Sequence, residues 1–177
     1  SGTFVDIERE LLGEIVKVTG TSFTPGDSEV GLALRVRAIY QDANGVIETV
    51  FSEVTAAVEN VNDVPLGTVT ISDMTPAEDA ALLATNAFTD ADGLNGVAFT
   101  YVWEASADGI GDWTEVGDGS ATFSPPQSTV DQFLRVTVNY VDGNGTAESL
   151  TSAVTSAVTN TNDLASGVVA FDVAEPT

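Results

Sequence analysis

Residues 23–63 lie over residues 123–163 without a gap, at an offset of 100 residues. Phe23, Pro25, Arg35, Tyr40, Asp42, Asn44, Gly45 and Glu48 fall on Phe123, Pro125, Arg135, Tyr140, Asp142, Asn144, Gly145 and Glu148. The match runs on through Asn62-Asp63 and Asn162-Asp163 to Gly67 and Gly167. Solenoid units end at about 50 residues, whereas about 100 residues make one β-sandwich domain, so each period is expected to fold as its own domain. Cutting at the Asn-Asp pairs divides the 177 residues into 1–63, the C-terminal part of a first unit, 64–163, a complete unit, and 164–177, the first strand of a third.

Within the complete unit, short runs rich in Val, Thr, Phe and Tyr alternate with clusters of Gly, Asp and Asn, the pattern of strands and turns. Strands are expected at 67–72, 80–88, 98–105, 113–116, 121–124, 133–141 and 147–158, and no segment carries a helical stripe. Seven short antiparallel strands predict an all-β, immunoglobulin-like sandwich. Alternation places Leu134, Val136, Val138 and Tyr140 on one face of a strand and Phe99, Tyr101 and Trp103 on one face of another. Trp103 is expected in the core and Trp113, after the Ala107-Asp108-Gly109 turn, at partial exposure. Arg35 and Arg135, at equivalent strand positions, are expected to hold a fixed ion pair or to cover the edge of the core.

Composition narrows the partners. Five Lys and Arg against 27 Asp and Glu leave a net charge of −22, which repels phosphate backbones and anionic headgroups and argues against nucleic acid and membrane binding. Without Cys or His, thiolate and imidazole ligands are missing, and hard, oxygen-ligated cations remain as small partners. No apolar run is long enough to span a bilayer, and no export signal opens the sequence. The residue types also argue against an enzyme: no His or Cys and Lys17 as the single Lys leave no ordinary nucleophile and base pair. Paired carboxylates of glycosidase type fit Asp-rich turns in a small sandwich poorly.

The runs Asn62-Asp63-Val64-Pro65-Leu66-Gly67, Phe88-Thr89-Asp90-Ala91-Asp92-Gly93, Tyr101-Val102-Trp103 and Val141-Asp142-Gly143-Asn144-Gly145 resemble the bacterial immunoglobulin-like and cadherin-like tandem repeats of giant RTX-type adhesins and related surface proteins. The resemblance covers nearly all of residues 64–163 and, more loosely, 23–63. It implies a secreted or cell-surface extender whose repeats bind calcium at their joints. The absence of Lys from the second unit excludes the Lys-to-Asn or Lys-to-Asp crosslink that staples some other adhesin domains.

The segment Asn60-Val61-Asn62-Asp63-Val64-Pro65 is similar to the calcium-binding linker of cadherins. Calcium takes six to eight oxygens, which Asp, Asn and backbone carbonyls on short loops supply. The expected ligand set is Asn62, Asp63, Asp90 and Asp92, completed by Glu78, with Gly93 permitting the tight turn. The same residues also read as ordinary turns, and Asn44-Gly45 and Asn144-Gly145 read as hairpins. Fourteen acids against the single base Arg135 between Val64 and Asp163 favour the cation. A module that binds carbohydrate or protein through Trp113 and the Asp108–Asp112 loop, or linker repeats of a larger secreted enzyme, are the competing readings. In the first unit, residues 4–7 are expected to match 113–116. The strands that would precede them are missing from the pattern, so residues 1–63 are expected either to borrow strands from another chain, or from residues 167–172, or to be less stable than the complete unit.

Overall fold

The computed structural model describes residues 7–11, 14–18, 22–94 and 96–169, of which 7–18 by backbone alone. The chain is nearly all β, with antiparallel sheets. Two compact units form, one of residues 1–64 with 90–94, the other of residues 65–89 with 95–177. No helix among the described residues is long and apolar enough to cross a membrane.

In the second unit, β5 (Leu66–Ile71), β6 (Leu82–Thr89) and β9 (Thr122–Phe123) form one sheet in the order β5-β6-β9. A second sheet has β11 (Ala147–Thr151), β10 (Phe133–Val141), β7 (Thr100–Ser106) and β8 (Thr114–Glu115) in the order β11-β10-β7-β8. One buried apolar cluster draws on both, because the period-2 alternation of each strand turns its apolar set to the same side. Val69, Ile71, Leu82, Ala84 and Phe123 come from the first sheet, and Trp103, Ala105, Leu134, Val136 and Val138 from the second. Trp103 is fully buried, as its place in the alternation requires. Its ring stacks on Phe123 at 5.4 Å, and its indole N–H donates to the Ser120 carbonyl at 3.1 Å, which satisfies the one polar atom a buried Trp carries. A second aromatic group, Phe88, Phe99 and Tyr140, closes one end with centroids 5.4–6.0 Å apart.

Gly67 explains how β5 and β6 approach so closely. Its φ is +133°, and a Cβ there would sit 2.4 Å from the Ala87 carbonyl oxygen, so only glycine fits.

The last strand is shorter than its apolar pattern suggests. It stops at Thr151, where continuation to Val158 is expected, because side-chain hydroxyls replace ladder carbonyls. The Ser152 and Thr155 hydroxyls accept from Val136 N and Leu134 N, each at 3.0 Å, while Ser152 N and Thr155 N still reach the Val136 and Leu134 carbonyls at 2.9 Å. Residues 153 and 154 are left as an unpaired bulge. Pairing resumes at single bridges, Phe133 with Ala157 and Val130 with Val158.

The first unit contains β1 (Ile7–Leu11), β2 (Glu14–Val18), β3 (Arg37–Gln41) and β4 (Ile47–Phe51), all antiparallel, in the order β2-β1-β3-β4. That order repeats β8-β7-β10-β11. The strand that begins at Ile7 therefore occupies the place of β7 and its hairpin partner that of β8, which corrects the expected match of residues 4–7 with 113–116; Phe4–Asp6 lie outside the described residues. The bulge recurs at the same offset. Val36 N donates to the Ser52 hydroxyl at 2.8 Å and Leu34 N to the Thr55 hydroxyl at 3.0 Å.

Candidate metal centre

Asp63 closes the first unit, and its backbone N–H donates to the Asp92 carboxylate at 2.8 Å. Asp92 is held by its own turn: its N–H donates to Asp90 Oδ1 at 2.9 Å, and Gly93 N donates to the Asp90 carbonyl at 3.1 Å. Gly93 has φ +97°, the left-handed geometry that the sequence assigns it. Asp90 is thus the organiser of the turn, and Asp92, buried, is the carboxylate it presents.

The third member is Asp27, which the sequence reading missed. It opens a three-residue 3-10 turn, Asp27–Glu29. One carboxylate oxygen each from Asp27, Asp63 and Asp92 lie within 4.8 Å of one another, close enough for one ion to bridge them. Three like charges at that spacing repel. The Asp27 carboxylate is the main cause of an Asp63 pKa raised above the ordinary carboxylate value, followed by burial and the charges of Asp92 and Asp90. Gln127 stands at the position equivalent to Asp27, so the repeat comparison gives Asp27 no signal.

Asn62 is exposed beside Asp63 and offers an amide oxygen. Glu78 has a different environment. It is buried, its carboxylate accepts from Thr161 N at 3.1 Å, its carbonyl accepts from the Thr161 hydroxyl at 3.1 Å, and its own N–H donates to the Thr159 carbonyl at 2.9 Å. The parallel bridge from Ala77 to Thr159 fixes this placement. Glu78 thus anchors the segment 159–161, which lies 100 residues beyond 59–61.

Asp42 and Asp142 hold their hairpin turns identically, each Oδ1 accepting from the N–H groups two and four residues on at 2.8–2.9 Å. Asp142 differs in being buried, with Oδ2 lacking a hydrogen-bond partner among the described residues. A buried carboxylate oxygen without a donor is costly and is satisfied by a cation or water.

Around Trp113, one ion pair and one loop are fixed by internal contacts. The Arg135 guanidinium lies 4.1 Å from the Trp113 ring centroid and bonds Glu104 through two nitrogens, at 2.8 and 3.2 Å. Asp108 accepts from Ile110 N, Gly111 N and the Ser106 hydroxyl, bonds that hold its pKa below the ordinary value. These bonds hold the loop in place. In the first unit, Arg35 covers Phe51 at 4.5 Å instead. Arg135→Ala is expected to cost only about 0.5–1.5 kcal/mol, the sum of a partly exposed ion pair and one cation–π contact, and to shift Trp113 fluorescence. Paired melts and emission spectra check both.

No protein-family model matches the chain, and no curated protein does either.

Proposed function

We propose that the chain is a structural extender segment of a secreted or cell-surface bacterial protein. In this reading it consists of immunoglobulin-like sandwich repeats in tandem, of the kind that giant RTX-type adhesins carry, without enzymatic activity, and calcium stiffens the joints between repeats. The observation that carries the proposal is the convergence of Asp27, Asp63 and Asp92. Turn geometry alone explains Asp90, but it does not require three carboxylates to share one small volume. A hard divalent cation gives that placement a role, because it converts their mutual repulsion into attraction. Backbone carbonyls, Asn62 and water supply the remaining oxygens that calcium needs.

The identity of the hydrogen-bond scheme at residues 34–55 and 134–155 supports the tandem reading, since one sequence pattern yields one local structure twice. The rigidity claim is tested by small-angle scattering at 0 and about 10 mM calcium, with magnesium as control. Calcium is expected to narrow the distribution of chain dimensions and magnesium to leave it broad, since magnesium keeps its waters and demands a stricter octahedron. Equal profiles in both ions would remove the stiffening role.

A further inference from the structure

The sheet faces that point away from the interior differ between the two units. In β10, alternation turns Val136, Val138 and Tyr140 inward and Thr137, Asn139 and Val141 outward. β11 sets Thr151, Ser149 and Ala147 beside those outward residues. At the same offset, β4 sets Phe51, Thr49 and Ile47 beside Arg37, Ile39 and Gln41 of β3. Ile thus stands for Ala, Thr for Ser and Phe for Thr, each a larger side chain of a strand-favouring type. Ile47 is 71% exposed and Phe51 53% exposed, although the Arg35 guanidinium lies 4.5 Å from the Phe51 ring centroid.

β4 is also an edge, and among the described residues it pairs with β3 alone. That edge is a property of the repeat. In the second unit, where two sheets enclose the core, β11 holds the same outer place. The segment that runs alongside, residues 74–78, bonds past the bulge: Ser156 N donates to the Met74 carbonyl at 2.8 Å, and Thr159 N to the Pro76 carbonyl and Glu78 N to the Thr159 carbonyl at 2.9 Å. Residues 147–151 lie outside that cover, and residues 47–51 lie outside it by the same topology. The backbone of β4 is polarised accordingly. Ser52 N donates to the Val36 carbonyl and Asp42 N to the Val46 carbonyl, each at 2.9 Å, so the even-numbered residues face β3. The N–H and C=O of Ile47, Thr49 and Phe51 therefore point out from the edge. Lys, Pro or a bulge ordinarily blunts such an edge. Residues 47–51 contain none of these, and their one charge, Glu48, is bonded by the Tyr40 hydroxyl.

We propose that β4 is a self-association edge, on which β4 of a second copy of this chain pairs antiparallel about a two-fold axis at Thr49. The strand is self-complementary in this register. Thr49 opposes the partner's Thr49, and Ile47 opposes the partner's Phe51, an aromatic and β-branched pair of the kind that stabilises neighbouring strands. Glu48 opposes the partner's Val50, so no like charges meet. The residues brought together are the ones whose backbone groups point outward, so donors and acceptors match along the whole edge. Moving the axis to Glu48 sets two carboxylates against each other, and moving it to Val50 sets Ile47 against the partner's Glu53. The same pairing of β11 would bring together only Ala147, Ser149 and Thr151, which have little apolar surface to bury. The association is independent of calcium.

The test uses the full chain in chelator, which keeps its outcome separate from the stiffening role. Sedimentation equilibrium over a rising concentration series is expected to show a monomer–dimer equilibrium that stops at two chains. Added salt should tighten it, because salt screens the repulsion between two chains of net charge −22 and leaves backbone pairing in place. Thr49→Pro deletes the donor on the two-fold axis but no bond to β3, and is expected to weaken association at least about tenfold, while Ser149→Pro leaves it unchanged. If Thr49→Pro unfolds the first unit, single cysteines decide. The chain has no cysteine of its own, and a hydrogen-bonded antiparallel pair sets its Cα atoms about 5.5 Å apart, within disulfide reach. Mild oxidation of Thr49→Cys should therefore yield a covalent dimer, and that of Ser149→Cys should not. The proposal is overturned by a monomer at every concentration, by assembly beyond two chains, by dissociation in salt, by a dimer indifferent to Thr49→Pro, or by equal crosslinking at positions 49 and 149.

Discussion

At about 10 mM calcium, the first unit is expected to gain about 1.4–2.7 kcal/mol, the increment for a site of about 0.1–1 mM affinity that exists only in the folded state. Hydrogen exchange at residues 60–64 and 90–94 should slow in parallel. Asp27→Asn and Asp63→Asn are expected to abolish the calcium increment while raising stability in chelator, because each removes a charge that repels its neighbours when no cation is present. Asp92→Ala should abolish the increment without that gain, since it also deletes the acceptor for Asp63 N. The pH dependence carries the same sign. Asp63 has a folded pKa above its unfolded value, so the folded state holds that proton more tightly, and in chelator this group's contribution falls as pH rises from the ordinary carboxylate value through the raised one. With calcium bound the slope reverses, because protons then compete with the ion. Calorimetric melts of parent and variants in chelator and in calcium, at two pH values, read all of these outcomes; a calcium increment that survives Asp63→Asn and Asp27→Asn would remove the site.

Alternation along β10 made its core face readable, because a strand with one buried side must repeat every second residue. Trp103 was readable for the same reason. Asp63 and Asp92 were legible as a pair of acidic loops, and they do converge. Asp27 was not, because nothing local marks a carboxylate in a three-residue turn as facing two others; only the fold brings residues 27, 63 and 92 together. The bonds of Glu78 to Thr159 and Thr161 were not legible, because only the fold brings residues 77–78 beside 159–161. The early end of β11 was hidden by Ser152 and Thr155, which look like ordinary strand residues yet stand in for backbone carbonyls. The β1–β2 hairpin was misaligned because it carries no Trp and no Asp-Gly turn, and only the strand order β2-β1-β3-β4 identifies its place.

Leu134→Ala and Leu34→Ala are the same substitution at equivalent positions, and their costs should differ severalfold. Leu134 has no exposed surface and packs with Trp103, Val136 and Val158 in the one buried cluster of the second unit. Its truncation removes buried methyl groups and leaves a cavity that neighbours in two sheets cannot fill, a combination that costs about 3–5 kcal/mol. Leu34 is half-buried on a face that water already reaches, so truncation forfeits less transfer energy and opens no closed cavity, and about 1 kcal/mol or less is expected. Hydrogen exchange resolved by residue separates the two units in one sample. Leu134→Ala should lower protection across residues 65–89 and 100–151 and leave residues 37–51 unchanged, and Leu34→Ala should move residues 37–51 slightly. Equal costs in the free chain would mean that the inner face around Leu34 is already closed.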